Sequence, residues 1–179
     1  MSDEHFKGQY EVELKYRLSN KARFLSILNS IEHEVMLQDN LESDCYFDYQ
    51  GTLLAQGKSI CIREMEPSGI KLWIVKGPEA DRCEATRITD ADSAKSMLKT
   101  MGYDVTLTLQ KTRSIYFVGK FHITVDNLPG LGDFAEFAIM TDDAAQLEGF
   151  RQQLMDLAAR FGLTTTDIEH RSYRQLQTV

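Results

Sequence analysis

Cysteine, proline and tryptophan are scarce in this chain, and several signatures of common function classes are missing. The 179 residues include three cysteines, three prolines and one tryptophan. Cys45, Cys61 and Cys83 are odd in number and lack metal-ligand spacing. They exclude a disulfide framework or a cysteine-based zinc site and fit a reduced, cytoplasmic setting. His5, His33 and His170 form no metal-binding spacing either. The longest apolar runs, such as Phe134 to Met140, are too short to span a bilayer. The start, Met1-Ser2-Asp3-Glu4-His5, lacks the basic and apolar segments of a signal peptide. No membrane partner is expected. There is no basic excess: Lys and Arg number 20 against 27 Asp and Glu, for a net charge of -7. A binder that tracks nucleic-acid phosphates would normally be basic, so no nucleic-acid partner is expected. No GxxxxGK[ST] motif or dinucleotide fingerprint occurs, and Gly130-Leu131-Gly132 is no substitute. Any phosphate ligand must be held by side chains.

What is present reads as many strands and few helices. The length suits one domain, residues 1–179. Phe24, Ile27, Leu28 and Ile31 fall at helical spacing, as do Ala94, Met97, Leu98 and Met101. Leu147, Phe150, Leu154, Leu157 and Phe161 extend the pattern into a longer third helix. Thr141, Asp142 or Asp143 could cap that helix, and Gly102 and Gly162 are stop signals. Strands are expected over 9–17, 43–49, 58–65, 69–77, 82–88, 105–117, 120–127 and 133–140. Pro67-Ser68-Gly69 and Val118-Gly119-Lys120 read as hairpin turns.

The strand faces carry the main clue. Side chains alternate with period 2, so Glu11, Glu13 and Lys15 share a face opposite Val12, Leu14 and Tyr16. Lys111 shares a face with Arg113, and His122 and Thr124 with Asp126. Arg63 lies opposite Ile60 and Ile62, Glu84 opposite Cys83 and Ala85, and Glu136 opposite Ala135 and Phe137. A half-exposed sheet with charges in water would read the same way. Three amphipathic helices, however, need an apolar surface to cover. A closed sheet with helices outside would supply it and turn the charged faces inward, making a polar tunnel. Lys15, Arg63, Lys76, Lys111 and Arg113 would then face Glu11, Glu13, Glu84, Asp126 and Glu136. Burying so many charges is costly unless a ligand completes the pairing. Carboxylates bind hard divalent cations, and Lys and Arg bind phosphate oxygens.

Glu11-Val12-Glu13-Leu14-Lys15 resembles the ExExK signature of the CYTH superfamily, the triphosphate tunnel metalloenzymes. Arg63, Lys76, Glu84, Lys111, Arg113, Asp126 and Glu136 follow where that family places charged tunnel residues. The stretches 63–78 and 111–126 and the tail 171–176 are similar to bacterial class IV adenylyl cyclases. The resemblance covers the whole chain and is weakest over 20–58 and 144–168. It implies an α+β fold: an eight-stranded antiparallel β-barrel with helices packed outside, in one catalytic domain. It further implies ATP as substrate, Mg2+ or Mn2+ as cofactor, cyclic AMP and pyrophosphate as products, and a homodimer. Glu11, Glu13, Asp126 and Glu136 are the expected metal ligands. Lys15, Arg63, Lys76, Lys111 and Arg113 are the expected triphosphate holders, with Glu84 orienting one of these cations or the ribose. Glu13, Lys111, Arg113 and Glu136 are the expected catalytic set. A triphosphatase of the same fold and a non-catalytic nucleotide or polyphosphate sensor remain as alternatives. Three aromatic or imidazole side chains stay open. His122 invites a ligand role, although a structural histidine is commoner. Trp73 reads as core rather than as an adenine platform. Tyr173 could plug an end of the barrel or touch ligand.

Overall fold

The computed structural model describes residues 2–178, with side-chain surroundings from residue 4. Eight antiparallel strands carry the fold: β1 Tyr10–Arg17, β2 Glu34–Asp48, β3 Ser59–Glu66, β4 Lys71–Lys76, β5 Cys83–Arg87, β6 Asp104–Val118, β7 Phe121–Leu128 and β8 Gly132–Thr141. Their order in the sheet is β1-β8-β7-β6-β2-β3-β4-β5. The helices are α1 Lys21–Asn29, α2 Thr52–Ala55, α3 Ala91–Thr100, α4 Leu147–Arg160 and α5 Tyr173–Gln177. This is the expected α+β class, with eight antiparallel strands and helices packed on their apolar faces.

The chain divides into two compact units: Met1–Asp39 with Thr112–Val179, and Asn40–Lys111. The long strands β2 and β6 each run through both.

In the first unit the alternation of β1 buries Val12 and Tyr16, while β7 and β8 bury Ile123, Val125, Ala135 and Phe137. Phe24 and Leu28 of α1 and Leu154, Leu157 and Ala158 of α4 close over this surface. Phe137 is the hub. Its ring meets Tyr16 edge-on at 5.5 Å and Phe161 at 5.6 Å, while Phe24 stacks on Phe161 at 4.5 Å. Such pairs add specific geometry to plain apolar burial. In the second unit Phe47, Ile62, Ala91, Ala94 and Leu98 form the core, with Trp73 packed against it. Trp73 is partly buried, against that core.

Local chemistry sets the ends of the helices. Asn20 accepts from the backbone of Arg23 at 2.9 Å, and Asp90 from that of Ser93 at 2.9 Å. These caps satisfy donors that a first helical turn leaves open. Of the three candidates before α4, Asp143 is the capping residue. It accepts from the Ala145 backbone, at a 3-10 turn that leads directly into the helix. Gly102 and Gly162 end α3 and α4 at φ of 92° and 76°, where only glycine sits without strain.

Three elements lay beyond the sequence patterns. The first half of β2, residues 34–42, alternates too weakly to read as strand. The four-residue α2 is held by Asp48, whose carboxylate accepts from the backbones of Leu53 and Leu54. The short α5 starts at Ser172, which accepts from Gln175 while the Gln175 side chain accepts from Ser172.

Replacing Phe137 with Ala should lower unfolding free energy by about 3–5 kcal/mol, because it removes the hub of a closed aromatic cluster. Met97→Ala, at a side chain 60% exposed, should change it by no more than about 0.5 kcal/mol. Urea unfolding followed by circular dichroism reads both.

Candidate active site

The first unit gathers charge on the sheet face opposite the Phe137 core. Register aligns the rows. Lys15 pairs with Glu136, and Glu136 with Thr124. Arg113 pairs with Asp126 on the neighbouring strand. Directly paired residues in adjacent strands lie about 5 Å apart, so these side chains meet.

Arg113 holds the cluster together. Its Nε and Nη2 donate to the two oxygens of Asp126 at 2.6 Å each, and Nη2 also donates to Glu136. Asp126 is 0% exposed and Glu136 5%. The Tyr173 hydroxyl donates to Asp126 at 2.7 Å. Lys15 lies 4.3 Å from the centre of the Tyr173 ring and donates to the Arg171 carbonyl at 2.7 Å. Tyr173 thus belongs to the site, and the short helix α5 delivers it.

Burial pushes the Glu136 carboxyl upward. The Arg113 charge, hydrogen bonding with Glu13 and Asp126, and the Lys15 charge outweigh it and hold the group well below the usual carboxylate range. Tyr173 is driven the other way, by burial first and then by the charges of Glu136 and Asp126. It stays a neutral donor.

Glu13 and Asp126 each lie within hydrogen-bonding reach of Glu136. Carboxyls in such contact share a proton or a cation, so the donor chemistry fits a hard divalent ion. The guanidinium of Arg113 now lies between two of them. Among the described residues no three metal-type side chains surround a common point. Glu11 Oε2 lies 3.5 Å from His122 Nε2.

The second unit holds a separate ionic cluster. Arg63 grips Asp44 bidentately at 2.7 and 2.9 Å. Lys111 donates to Asp44 at 3.0 Å and sits 2.7 Å from Glu42 Oε1, which is also 2.9 Å from Arg63. The side chains of Glu42 and Asp44 are 0% exposed, and that of Lys111 1%. Two of the expected phosphate holders thus carry internal counter-ions that sequence reasoning missed. Glu42, Asp44 and Tyr46 alternate on β2, a period-2 signal that a longer strand would have exposed. Burial raises the Asp44 carboxyl, but the charges of Arg63 and Lys111 pull it far below the carboxylate range. The neighbouring Cys61 thiol is pushed up to about 12, chiefly by burial, and is chemically quiet. All three cysteines are free. Lys76 and Glu84 are exposed at the ends of β4 and β5, and Glu84 lies 3.5 Å from Arg82.

The CYTH domain model matches residues 9–173. The chain belongs to the CYTH family. Adenylate cyclase CyaB of Aeromonas hydrophila is 61% identical over 98% of this chain and 93% of its own. A solved structure of a candidate adenylate cyclase from Vibrio parahaemolyticus is 58% identical, covers 97% of this chain and 100% of its own, and superposes with a TM-score of 0.94. A Hippeastrum adenylyl cyclase candidate described as having dominant triphosphatase activity is 14% identical. It covers 93% of this chain and 94% of its own, with a TM-score of 0.62. That last likeness is one of fold alone. Among the described residues, no helix of this CYTH chain is long and apolar enough to cross a membrane.

Asp44 and Glu136 titrate lower in the folded than in the unfolded chain. Their contribution is complete above the unfolded carboxyl values and is lost as pH falls through the folded ones. Stability should therefore be level near neutrality and drop below about pH 4. Asp44→Asn should cost about 3–5 kcal/mol at pH 7, because it leaves Arg63 and the buried Lys111 to share Glu42 alone, and should flatten the acid slope. Urea titrations from pH 7 to pH 3 measure both effects.

Proposed function

We propose that this protein is a class IV adenylyl cyclase, converting ATP to 3′,5′-cyclic AMP and pyrophosphate. One observation carries the reading: buried carboxylates and cations converge on one sheet face, in a chain 61% identical to an adenylate cyclase. The acidic net charge of -7 supports a compact anionic substrate rather than a nucleic acid. The family match over 9–173 supports one catalytic domain.

In the reaction the ribose 3′-oxygen attacks the α-phosphorus in line. A new oxygen–phosphorus bond forms, the bond to the pyrophosphate oxygen breaks, and the hydroxyl proton is released. Glu13, Asp126 and Glu136 would hold a divalent ion, Mg2+ or Mn2+, with Glu11 beside them. That ion supplies Lewis-acid neutralisation of phosphate charge and a lowered hydroxyl pKa.

The protein's own residues supply the positioning. Arg113 offers a planar fork whose geometry suits phosphate as well as the carboxylate it now grips. The same fork would suit the oxygens of a substrate phosphate. Lys15, Arg63, Lys76 and Lys111 supply further charge for the triphosphate, and Glu84 orients a cation or the ribose. Tyr173, neutral and hydrogen-bonded to Asp126, fixes that carboxylate in place. Holding the attacking oxygen and the phosphorus in near-attack geometry is worth several powers of ten in rate. A homodimer in the cytoplasm completes the reading.

Incubation with ATP and Mg2+ or Mn2+, followed by product identification, tests it. Cyclic AMP with pyrophosphate is the expected outcome. ADP with phosphate would make the protein a hydrolase, and ATP binding without turnover a sensor. Glu136→Gln should cut kcat by about 100-fold or more while the circular dichroism spectrum is retained. Near-wild-type turnover in that variant would remove Glu136 from the metal site.

A further inference from the structure

The charged face of the first unit does not end at Arg113 and Asp126. Going up β6 and β7, the paired residues are Arg113 with Asp126, then Ile115 with Thr124, then Phe117 with His122. Every second residue faces the same way, so these three rungs share one surface. The first rung is ionic, the second half apolar, and the third aromatic. The first and third rungs lie about 13 Å apart along a strand, at about 3.3 Å per residue. The face thus grades from charge to ring.

Its upper rungs hold polar atoms that the protein leaves unused. Among the described residues, Thr124 Oγ1 and His122 Nδ1 are buried and meet no hydrogen-bond partner. Thr124 is 5% exposed and His122 3%. Native interiors rarely tolerate such groups without a reason. The other nitrogen of His122 faces Glu11 at 3.5 Å. Phe117 already shows what its face accepts. The His5 ring, from the N-terminal turn Ser2–Phe6, lies flat on it at 3.8 Å and 3°. Phe6 tilts over His122 at 4.8 Å.

We propose that these two rungs form the nucleoside subsite. A base stacks on Phe117 in the place that the His5 ring holds. The Thr124 hydroxyl, on the rung next to the ionic one and paired with Glu136, bonds the ribose, and His122 Nδ1 bonds the base edge. A bare polyphosphate engages the ionic rung alone. A nucleoside triphosphate spans all three. The subsite rests on the ATP reading, because it requires a nucleoside on the ligand.

Calorimetry with Mg2+ tests it, titrating ATP and inorganic tripolyphosphate separately into wild type, Thr124→Val, His122→Phe and Phe117→Leu. Each variant should bind ATP about tenfold more weakly, the loss typical of a stacking or hydrogen-bonding contact. Each should bind tripolyphosphate within about twofold of wild type, which also reports an intact fold. Equal weakening of both ligands would make these residues structural and overturn the proposal, as would unchanged ATP affinity. His5→Ala should leave ATP binding equal or tighter, and a loss matching that of Phe117→Leu would overturn the displacement of His5. Wild type that makes cyclic AMP while the variants keep full ATP affinity would sink the subsite alone. Wild type that binds tripolyphosphate but not ATP would sink the cyclase reading together with it.

Discussion

Arg113 sits between two carboxylates that water barely reaches, and the surrounding structure exists to make that tolerable. Asp126 is wholly buried, and Glu136 nearly so. A lone charge in such a place would cost many kcal/mol. The bidentate fork, the second carboxylate, the Tyr173 hydroxyl and the nearby Lys15 share that cost. The same arrangement suits exchange, because each partner holds the other in the shape that a phosphate or a metal ion would meet.

Everything that positions this cluster is apolar and lies on the other side of the sheet. Val12, Ile123, Val125, Ala135 and Phe137 face α1 and α4, and the pleat sends their neighbours the opposite way. A one-residue slip in β8 would exchange Glu136 for Phe137 and put a carboxylate in the core. Core packing therefore enforces the register that brings Arg113, Asp126 and Glu136 together. The second unit repeats the logic with different partners. There Glu42 and Asp44 neutralise Arg63 and Lys111, so cations expected to wait for phosphate already have counter-ions. If the proposed substrate binds at those residues it must exchange partners there, which would favour ligands that bring several negative charges at once.

Fold similarity constrains chemistry less than the site does. A protein of similar fold described as having dominant triphosphatase activity is 14% identical to this chain, and an adenylate cyclase is 61% identical. On the proposed reading, the ionic rung alone would serve either reaction. On that reading discrimination would come from residues that recognise the nucleoside, and the graded face of β6 and β7 is the place proposed for them.

The sequence by itself determined the strands, their two faces and the three main helices, because period 2 and period 3.6 are local properties of the chain. It also determined the ExExK strand and the packing of Trp73 against the core. The start of β2 escaped notice because its alternation is weak, and with it went Glu42. Only the tertiary structure decided which charges meet. Arg113 with Asp126 is a register, Tyr173 with Asp126 spans 47 positions, and Lys111 with Asp44 spans 67. No local pattern encodes such distances. Alternation shows that a residue is charged and faces inward, while strand order and register choose its partner.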